Sequence, residues 1–560
     1  MTWTNYILKA APETALFIAL ALGHALGRVR LGTFCLGGVA GSLLVGLVLG
    51  KLTGVTLPES LRAVFFALFI YAVGFKSGPE FFGGLNASSL KLVLSSVVQC
   101  VTALLVVVVL ARLCGFNKGF AAGLGSGALT QTAMLGTAAG ALSQLHLAPD
   151  QAAQYNSQMA VGFAITYIFG TVGTIIFVQS IAPRLLGVDL KQAARELEGK
   201  MSGGGQSARP GYLAPFVPVV ARAFEVSAAS ERALSELTSQ FGRASVERII
   251  RDGEVIEPAS GVVLKTGDVV AIAGQLEAVL EAGRLVGHEI ESREALSFAA
   301  RAATVVITDR RVLGLNLGQV RALLDQANLS NVYLGSLKRQ GLPLPILAGT
   351  ELRRGDVAEL VGRPEQVERA AATVGSAEPA GGKSDLAYHA LGIVLGTMLG
   401  LLSANVGGIP VTLGVGGGVL VSGLCFGWWH ARYPVHGGLP GPAQWVLSEL
   451  GLSAFAAAIG LSAGPKAIAA VQEHGVGLLL AGVVVTLVPL FVALYFARHV
   501  LKLNPVILLG ALCGGQTVAA ALSAVNEAAD SMTPVLGFTV TYAIANVLLA
   551  VWGPVIVGFT

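Results

Sequence analysis

Charge is scarce in this sequence. Asp, Glu, Lys and Arg make up 12% of its 560 residues, and the mean hydropathy is +0.70. A water-soluble protein of this size needs far more charge on its surface, so that class is excluded. The net charge of +4 is too small to argue for a nucleic-acid partner. The five cysteines (Cys35, Cys100, Cys114, Cys425 and Cys513) have no Cys-x-x-Cys or other metal-like spacing and lie in or beside apolar segments. They read as reduced packing residues, so neither metal nor cofactor is expected. No nucleophile–base pairing stands out either; no catalytic residue is expected, and the chain does not read as an enzyme. Within the apolar segments, His24 and His389 are the titratable side chains placed well inside, and no Asp or Glu occupies a segment middle. A carboxylate proton relay or a carboxylate sodium cage has no obvious material. His24, after Gly23 on an apolar face, reads as a packing residue.

What the sequence does have is long apolar runs and 72 glycines. A run of about 20 apolar residues spans a bilayer as helix, and glycine permits close helix packing in lipid. Twelve apolar segments are legible, six at roughly 13–28, 32–50, 60–76, 90–112, 117–143 and 158–182, and six at roughly 386–403, 410–429, 446–464, 475–498, 504–525 and 535–557. The first reads as a retained helix rather than a signal peptide. Residues 184–384 carry most of the charge and no membrane-length run. The expected organisation is a first membrane repeat (1–183), a linker (184–222), two small modules (223–286 and 287–374), a linker (375–385) and a second membrane repeat (386–560). "GGGQ" (203–206) and "AGGK" (380–383) read as flexible joints.

The membrane halves are duplicates. "LGGVAGSLLVGLVLG" (36–50) aligns with "LGVGGGVLVSGLCFG" (413–427), "GFKSGPEFF" (74–82) with "GLSAGPKAI" (460–468), and "GFAITY" (162–167) with "GFTVTY" (537–542). "GLGSGALTQT" (123–132) echoes "GALCGGQT" (510–517) through Gly123/Gly510 and, after a short gap, Gln131-Thr132/Gln516-Thr517. The aqueous insert is doubled too: "LKTGDVVAIAG" (264–274) matches "LRRGDVAELVG" (352–362), each followed by a helix-like stretch, so each unit reads as a small α+β module entered by a Gly-Asp turn.

Cationic loops mark the cytoplasm. Arg432, Arg498 and Lys502 fall with the insert in the second half, whereas Lys51, Arg112 and Lys118 compete with Arg28, Arg30, Lys76 and Lys91 in the first. Inverted repeats explain the shifted bias, and they require an odd number of crossings per half. The fifth segment, with its glycines and Thr-Gln-Thr, is the one expected not to cross, as a re-entrant hairpin or a helix broken at its middle. The fold expected is thus a polytopic α-helical membrane protein of two inverted-topology repeats, about five crossings each, with an α+β insert. Irregular backbone at membrane depth is tolerated only where protein or a water-filled cavity supplies partners, and paired discontinuous helices from inverted repeats build substrate sites in many secondary transporters. The alternative is that these glycines only let helices pack closely. The candidate substrate site is Gly127, Thr130, Gln131 and Thr132 with Gly514, Gly515, Gln516 and Thr517. Thr130 or Thr132 is expected to cap a half-helix whose free N–H groups suit a carboxylate, with Gln131 as a second donor, and Gln516 and Thr517 to do the same from the other side. Lys76 with Gly78-Pro79, and Gly464-Pro465 with Lys466, read as corresponding turns whose lysines draw an anion toward a vestibule or snorkel.

The pattern resembles the aspartate:alanine exchanger family of bacterial transporters over essentially the whole chain. "GPEFF", "GALTQT" and "GPKAI" look like that family's Gly-Pro and Thr-x-Thr motifs, and the doubled insert is similar to the RCK-C regulatory domains of potassium-transport proteins. "GGQT" departs from the full Thr-x-Thr. The resemblance implies a homodimer in a bacterial inner membrane with residues 184–384 in the cytoplasm, a moving substrate-carrying part, and exchange of amino acids or dicarboxylates such as aspartate, alanine or succinate. The insert is expected to bind a regulatory small ligand, to dimerise, or to brace the halves; it lacks a Gly-x-Gly-x-x-Gly fingerprint, which disfavours NAD. The competing function is a ligand-gated ion channel, against which stand the absence of a potassium-filter sequence and of a mid-membrane charged ring.

Overall fold

The computed structural model describes residues 8 and 10–560, apart from 32–33, 36, 85–88, 146, 203–218, 230, 239, 242–243, 260, 298–300, 328, 330–331, 378–382, 407–408 and 413. The glycine-rich joint at 203–206 and most of the one at 380–383 lie outside the described residues. The chain divides into two compact units: Met1–Leu197 with Gln340–Leu342 and Ala380–Thr560, and Glu198–Arg339 with Pro343–Pro379.

The membrane unit is built of α1 (Pro12–Gly27), α2 (Gly38–Thr53), α3 (Glu59–Gly84), α4 (Leu90–Cys114), α5 (Lys118–Ala128), α6 (Thr132–Gln144) and α7 (Pro149–Ile176) in the first half. Their counterparts are α8 (Leu386–Leu401), α9 (Gly414–Arg432), α10 (Gly441–Ala463), α11 (Ala467–Tyr495), α12 (Pro505–Gly515), α13 (Ala519–Ala529) and α14 (Val535–Phe559). Among the described residues, six helical stretches, built on α3, α4, α7, α10, α11 and α14, are long and apolar enough to cross a membrane. Shorter helices occupy the first two positions of each half.

Glycine contacts fix how these helices run. Gly46 and Gly50 of α2 lie against Ala457 and Leu461 of α10, while Gly460 and Gly464 lie against Leu43 and Leu47. The numbers rise together, so α2 and α10 run parallel. The duplicate contact joins α9 to α3: Gly423 and Gly427 meet Tyr71 and Phe75, and Gly74 and Gly78 meet Leu420 and Leu424. At several of these places a Cβ would overlap a facing carbonyl oxygen, which is why only glycine fits. The loop 54–58 reaches at most about 18 Å, short of the ~30 Å hydrocarbon core, so α2 and α3 are antiparallel. Helix α10 parallels α2 and therefore opposes α3, its own counterpart. The repeats are inverted.

The same logic settles the fifth segment. Gly119 of α5 abuts Tyr155 of α7, and Gly127 abuts Phe163 and Thr166, so α5 and α7 run parallel. Helix α6 must bring the chain back from the deep end of α5 to the start of α7. In the second half Gly510 meets Pro534 and Gly514 meets Phe538 and Thr541, with the same consequence for α12, α13 and α14. Of the two forms expected, each fifth segment is a re-entrant hairpin, leaving five crossings per half. The first hairpin enters from the side away from the insert connection, the second from the side of that connection. Helices α1–α3 pack with α8–α10, and α4–α7 with α11–α14. Gly78-Pro79 is not a turn; it lies inside α3, whereas Gly464-Pro465 forms a short 3-10 turn between α10 and α11.

The insert unit holds two five-stranded sheets. Strands β1 (Val219–Val226), β2 (Ala244–Arg251), β3 (Glu254–Ile256), β4 (Val269–Gln275) and β5 (Gly287–Ile290) lie in the order β3-β2-β4-β1-β5. Strands β6 (Arg301–Ile307), β7 (Tyr333–Arg339), β8 (Leu342–Pro343), β9 (Val357–Gly362) and β10 (Gly375–Ala377) repeat it as β8-β7-β9-β6-β10. Because β5 pairs with β1, the first sheet runs past residue 286, and the division between the sheets falls between Ile290 and Arg301 rather than at 286/287. The Gly-Asp motifs are turns with Gly267 and Gly355 at φ +90° and +85°. Each aspartate then accepts a backbone N–H three residues back (Lys265 to Asp268, Arg353 to Asp356, both 2.8 Å) and clasps an arginine on the neighbouring strand with both oxygens (Arg251 at 2.7–2.8 Å, Arg339 at 2.7 Å). Burial pushes the Asp268 carboxyl up, but the Arg251 and Lys265 hydrogen bonds outweigh it and hold it below the usual carboxylate range.

The two clasps differ in burial: the Arg339 side chain is 3% exposed and Arg251 24%. Arg339→Leu leaves Asp356 buried and unpaired, a loss on the order of 3–5 kcal/mol. Hydrogen-exchange mass spectrometry of the full chain should show β7 losing protection in Arg339→Leu well beyond what β2 loses in Arg251→Leu.

Candidate functional site

Each hairpin starts at an asparagine. The Asn117 side chain accepts from the N–H groups of Gly119 and Phe120 (3.1 and 3.2 Å), and Asn504 accepts from Val506 (2.9 Å). Each entering helix then ends at a threonine in left-handed conformation, Thr130 at φ +54° and Thr517 at +58°. These two residues, 387 positions apart, are equivalent. The same shift pairs Asn117 with Asn504, Gly123 with Gly510 and Gly127 with Gly514, so the hairpins align without a gap. This corrects the gapped match of Gln131-Thr132 with Gln516-Thr517: Gln516 corresponds to Leu129, and Thr132 to Ala519.

The tips meet. Thr130 Oγ1 donates to the Gln516 carbonyl (3.1 Å), and Thr517 Oγ1 donates to the Leu129 carbonyl (3.2 Å), the equivalent acceptor; the two hydroxyl oxygens are 3.5 Å apart. These carbonyls close the ends of α5 and α12, where no further turn of helix can satisfy them. The reciprocal pair thus solves the same shortage from both sides. A β-branched residue in left-handed conformation costs roughly 1–2 kcal/mol that glycine would not. Threonine at both tips is therefore held by what its hydroxyl does.

The remaining candidates serve around this crossing in unequal ways. Gln516 is buried and donates from Nε2 to the Ala128 carbonyl (3.1 Å), while its Oε1 accepts from Gln99 Nε2 (3.2 Å). Gln131, also buried, is the residue that caps α6: its Oε1 accepts from Ala133 N–H (3.3 Å) and its Nε2 donates to Asn546 Oδ1 (3.0 Å). Capping by Thr130 or Thr132 is not what the local geometry does, and Val518, in front of α13, supplies no side-chain cap. Gly127 and Gly514 are close-packing sites against Thr166 and Thr541, and Gly515 sits against the Gln99 side chain. Lys76 and Lys466 are exposed, and Lys466 Nζ donates to the Asp150 carbonyl (3.0 Å); neither is hydrogen-bonded to the tips.

Sequence reading missed Gln99, Thr486 and Asn546. Gln99 on α4 and Thr486 on α11 are equivalent by the hairpins' own shift, and Thr486 Oγ1 donates to the Ala128 carbonyl (3.1 Å) as Gln99 reaches Leu512 and Gln516 in the other half. A lone amide or hydroxyl mid-segment was the available signal, because a polar side chain in lipid needs a partner. The site is an uncharged cluster of hydroxyls, amides and helix ends; among the described residues no group of His, Cys, Asp or Glu could hold a metal ion.

Comparison with known proteins bears on what such a site serves. A family model described as a predicted permease membrane region (Asp-Al_Ex) matches residues 15–183 and 388–558, the two membrane halves. The chain is similar to an uncharacterised transporter of Bradyrhizobium diazoefficiens, 42% identical with 100% of both chains covered. It is also similar to uncharacterised transporters of Bordetella parapertussis (39%, 98% of this chain and 97% of that one) and Shewanella oneidensis (35%, 100% and 99%). No solved structure matches.

The strained threonines generate an ordering. Thr130→Val keeps the left-handed strain and abandons the Gln516 carbonyl, whereas Thr130→Gly loses the same bond but relieves the strain. Thermal melts of the purified protein should rank Thr130→Val below Thr130→Gly by about 1–2 kcal/mol, with the same order at Thr517.

Proposed function

This chain belongs to the family of predicted permease membrane regions, and from that premise we propose that it is a secondary transporter exchanging small carboxylates or amino acids, of the aspartate, alanine or succinate kind, by alternating access. The observation that carries the reading is the pair of inverted re-entrant hairpins joined tip to tip through Thr130 and Thr517. Two inverted hairpins meeting at mid-membrane are a recurrent way of holding a substrate between two halves that can exchange roles. Substrate polar groups would take over the carbonyls and hydroxyls now bonded across the tips, assisted by Gln131, Thr132 and Gln516. The outgoing chain of each hairpin begins a helix there, and a helix start favours a carboxylate. With no carboxylate at the tips, exchange of one substrate for another resets the carrier without a dedicated proton or sodium ligand. Residues 184–384 would lie in the cytoplasm of a bacterial inner membrane, as two RCK-C-like modules that respond to a small ligand, and the working form would be a homodimer.

Liposomes loaded with aspartate, alanine or succinate should show counterflow of the labelled compound, and Thr132→Ala should weaken it. Absence of counterflow under every loading would end the proposal, and unitary currents in planar bilayers would favour the channel instead. A thermal-shift screen should rank four-carbon dicarboxylates above sugars and polyamines, because a ligand that binds the folded state raises its apparent stability. A reversed ranking would overturn the anion assignment.

A further inference from the structure

The two hairpins are equivalent in sequence position but not in surroundings. In the first, Thr132, Ala133 and Gly136 on α6 are buried. Gly136 lies against the Phe66 ring of α3, where a Cβ would overlap the ring, and Phe66 also faces Gly416 of α9. Thr137 Oγ1 donates to the Ala550 carbonyl of α14. In the second hairpin the positions matching Thr132, Ala133 and Gly136 are Ala519, Ala520 and Ser523 on α13, and all three are exposed. They form one helical face with Glu527, which is exposed as well. The residue matching Phe66 is Leu452 on α10, part-buried. Residue type alone does not explain the contrast, since Ala133 and Ala520 are the same residue, one buried and the other exposed.

We infer that the structure is the state open on the side of the insert connection, and that the opposite state closes α13 against α10, bringing Ser523 onto Leu452 as Gly136 lies on Phe66. Inverted repeats reach their second state by exchanging conformations, because each half can adopt the packing its twin already shows. Gly136 leaving Phe66 would then uncover α6 on the other side in the same movement. The residue at the closing contact is the difference between the halves: Phe66 meets glycine in one, and Leu452 meets serine in the other. The inference rests on the alternating-access reading, yet its readout needs no transport.

The test uses the full chain with its five cysteines replaced, carrying Ala520→Cys or Ala133→Cys, in vesicles whose insert faces the reagent, verified by protease cleavage of the insert. A membrane-impermeant maleimide should label Ala520→Cys about tenfold faster or more than Ala133→Cys. Adding Gly136→Val, which crowds the Phe66 contact, should slow labelling at 520 and admit label at 133 from the opposite side. A Leu452→Cys/Ser523→Cys pair should cross-link on oxidation in the Gly136→Val background and more slowly in its absence. If Gly136→Val does not fold, as judged by size exclusion, the cross-link is scored in Gly136→Ala, whose Cβ already crowds the Phe66 ring, where a raised yield supports closure and an unchanged yield overturns it. Equal labelling at 133 and 520, or no cross-link in a folded Gly136→Val protein, also overturns the inference. Counterflow measured on the same preparations separates a failure of this gate from a failure of the transport reading, since labelling can invert in a protein that moves none of the substrates tried.

Discussion

The membrane unit turns on one shortage: backbone that leaves helix inside hydrocarbon has no water to bond. Two hairpins end inside the membrane unit, and each ends with carbonyls that its own helix cannot satisfy. Thr130 and Thr517 supply the missing donors reciprocally, each to the other hairpin's tip. Neither hairpin is complete alone. The left-handed strain at both positions marks the same dependence, because glycine would relieve the strain and forfeit the bond. Gln516, Gln99 and Thr486 extend the exchange into the helices alongside.

Glycine provides the geometry that lets the tips meet. The contacts of α2 with α10 and of α3 with α9 are the same contact made twice, with glycine facing backbone on both partners. In lipid there is no hydrophobic gain in bringing two apolar helices together, so close van der Waals approach has to supply the attraction. Gly119, Gly123 and Gly127 do this for α5 on α7, as Gly510 and Gly514 do for α12 on α14. The glycines of the hairpins therefore serve packing, as the simpler sequence reading held, while the interruption itself belongs to threonine.

How far the sequence reached can be followed residue by residue. The duplication was legible because inverted repeats keep their glycines and their Gly-Pro and Gly-Phe motifs in order, and the inversion followed from loop charge and an odd number of crossings. The choice between hairpin and broken helix was not legible, since both need a polar, glycine-rich interruption; it took the parallel course of α5 and α7. The gapped match of Gln131-Thr132 to Gln516-Thr517 failed because identity of residue type misled where identity of backbone conformation decides. Gln131 became the cap in place of either threonine because its longer side chain reaches the Ala133 N–H from a position where Thr130 is already engaged across the tips. Gln99 and Asn546 went unnoticed because their partners lie hundreds of residues away.

By itself the sequence determined that this chain spans a membrane, that it is two copies of one design, and that a doubled α+β insert of Gly-Asp turns and strands separates them. Those features follow from local composition, period and repetition, which a linear chain carries openly. Only the tertiary structure decided which residues form the meeting point, which glycines pack and which threonines turn, and that one face of the first hairpin's outgoing helix is covered while the matching face of its twin is exposed. Such properties depend on which parts of a folded chain lie within a few ångströms of each other, and inverted repeats bring together positions that no local pattern connects.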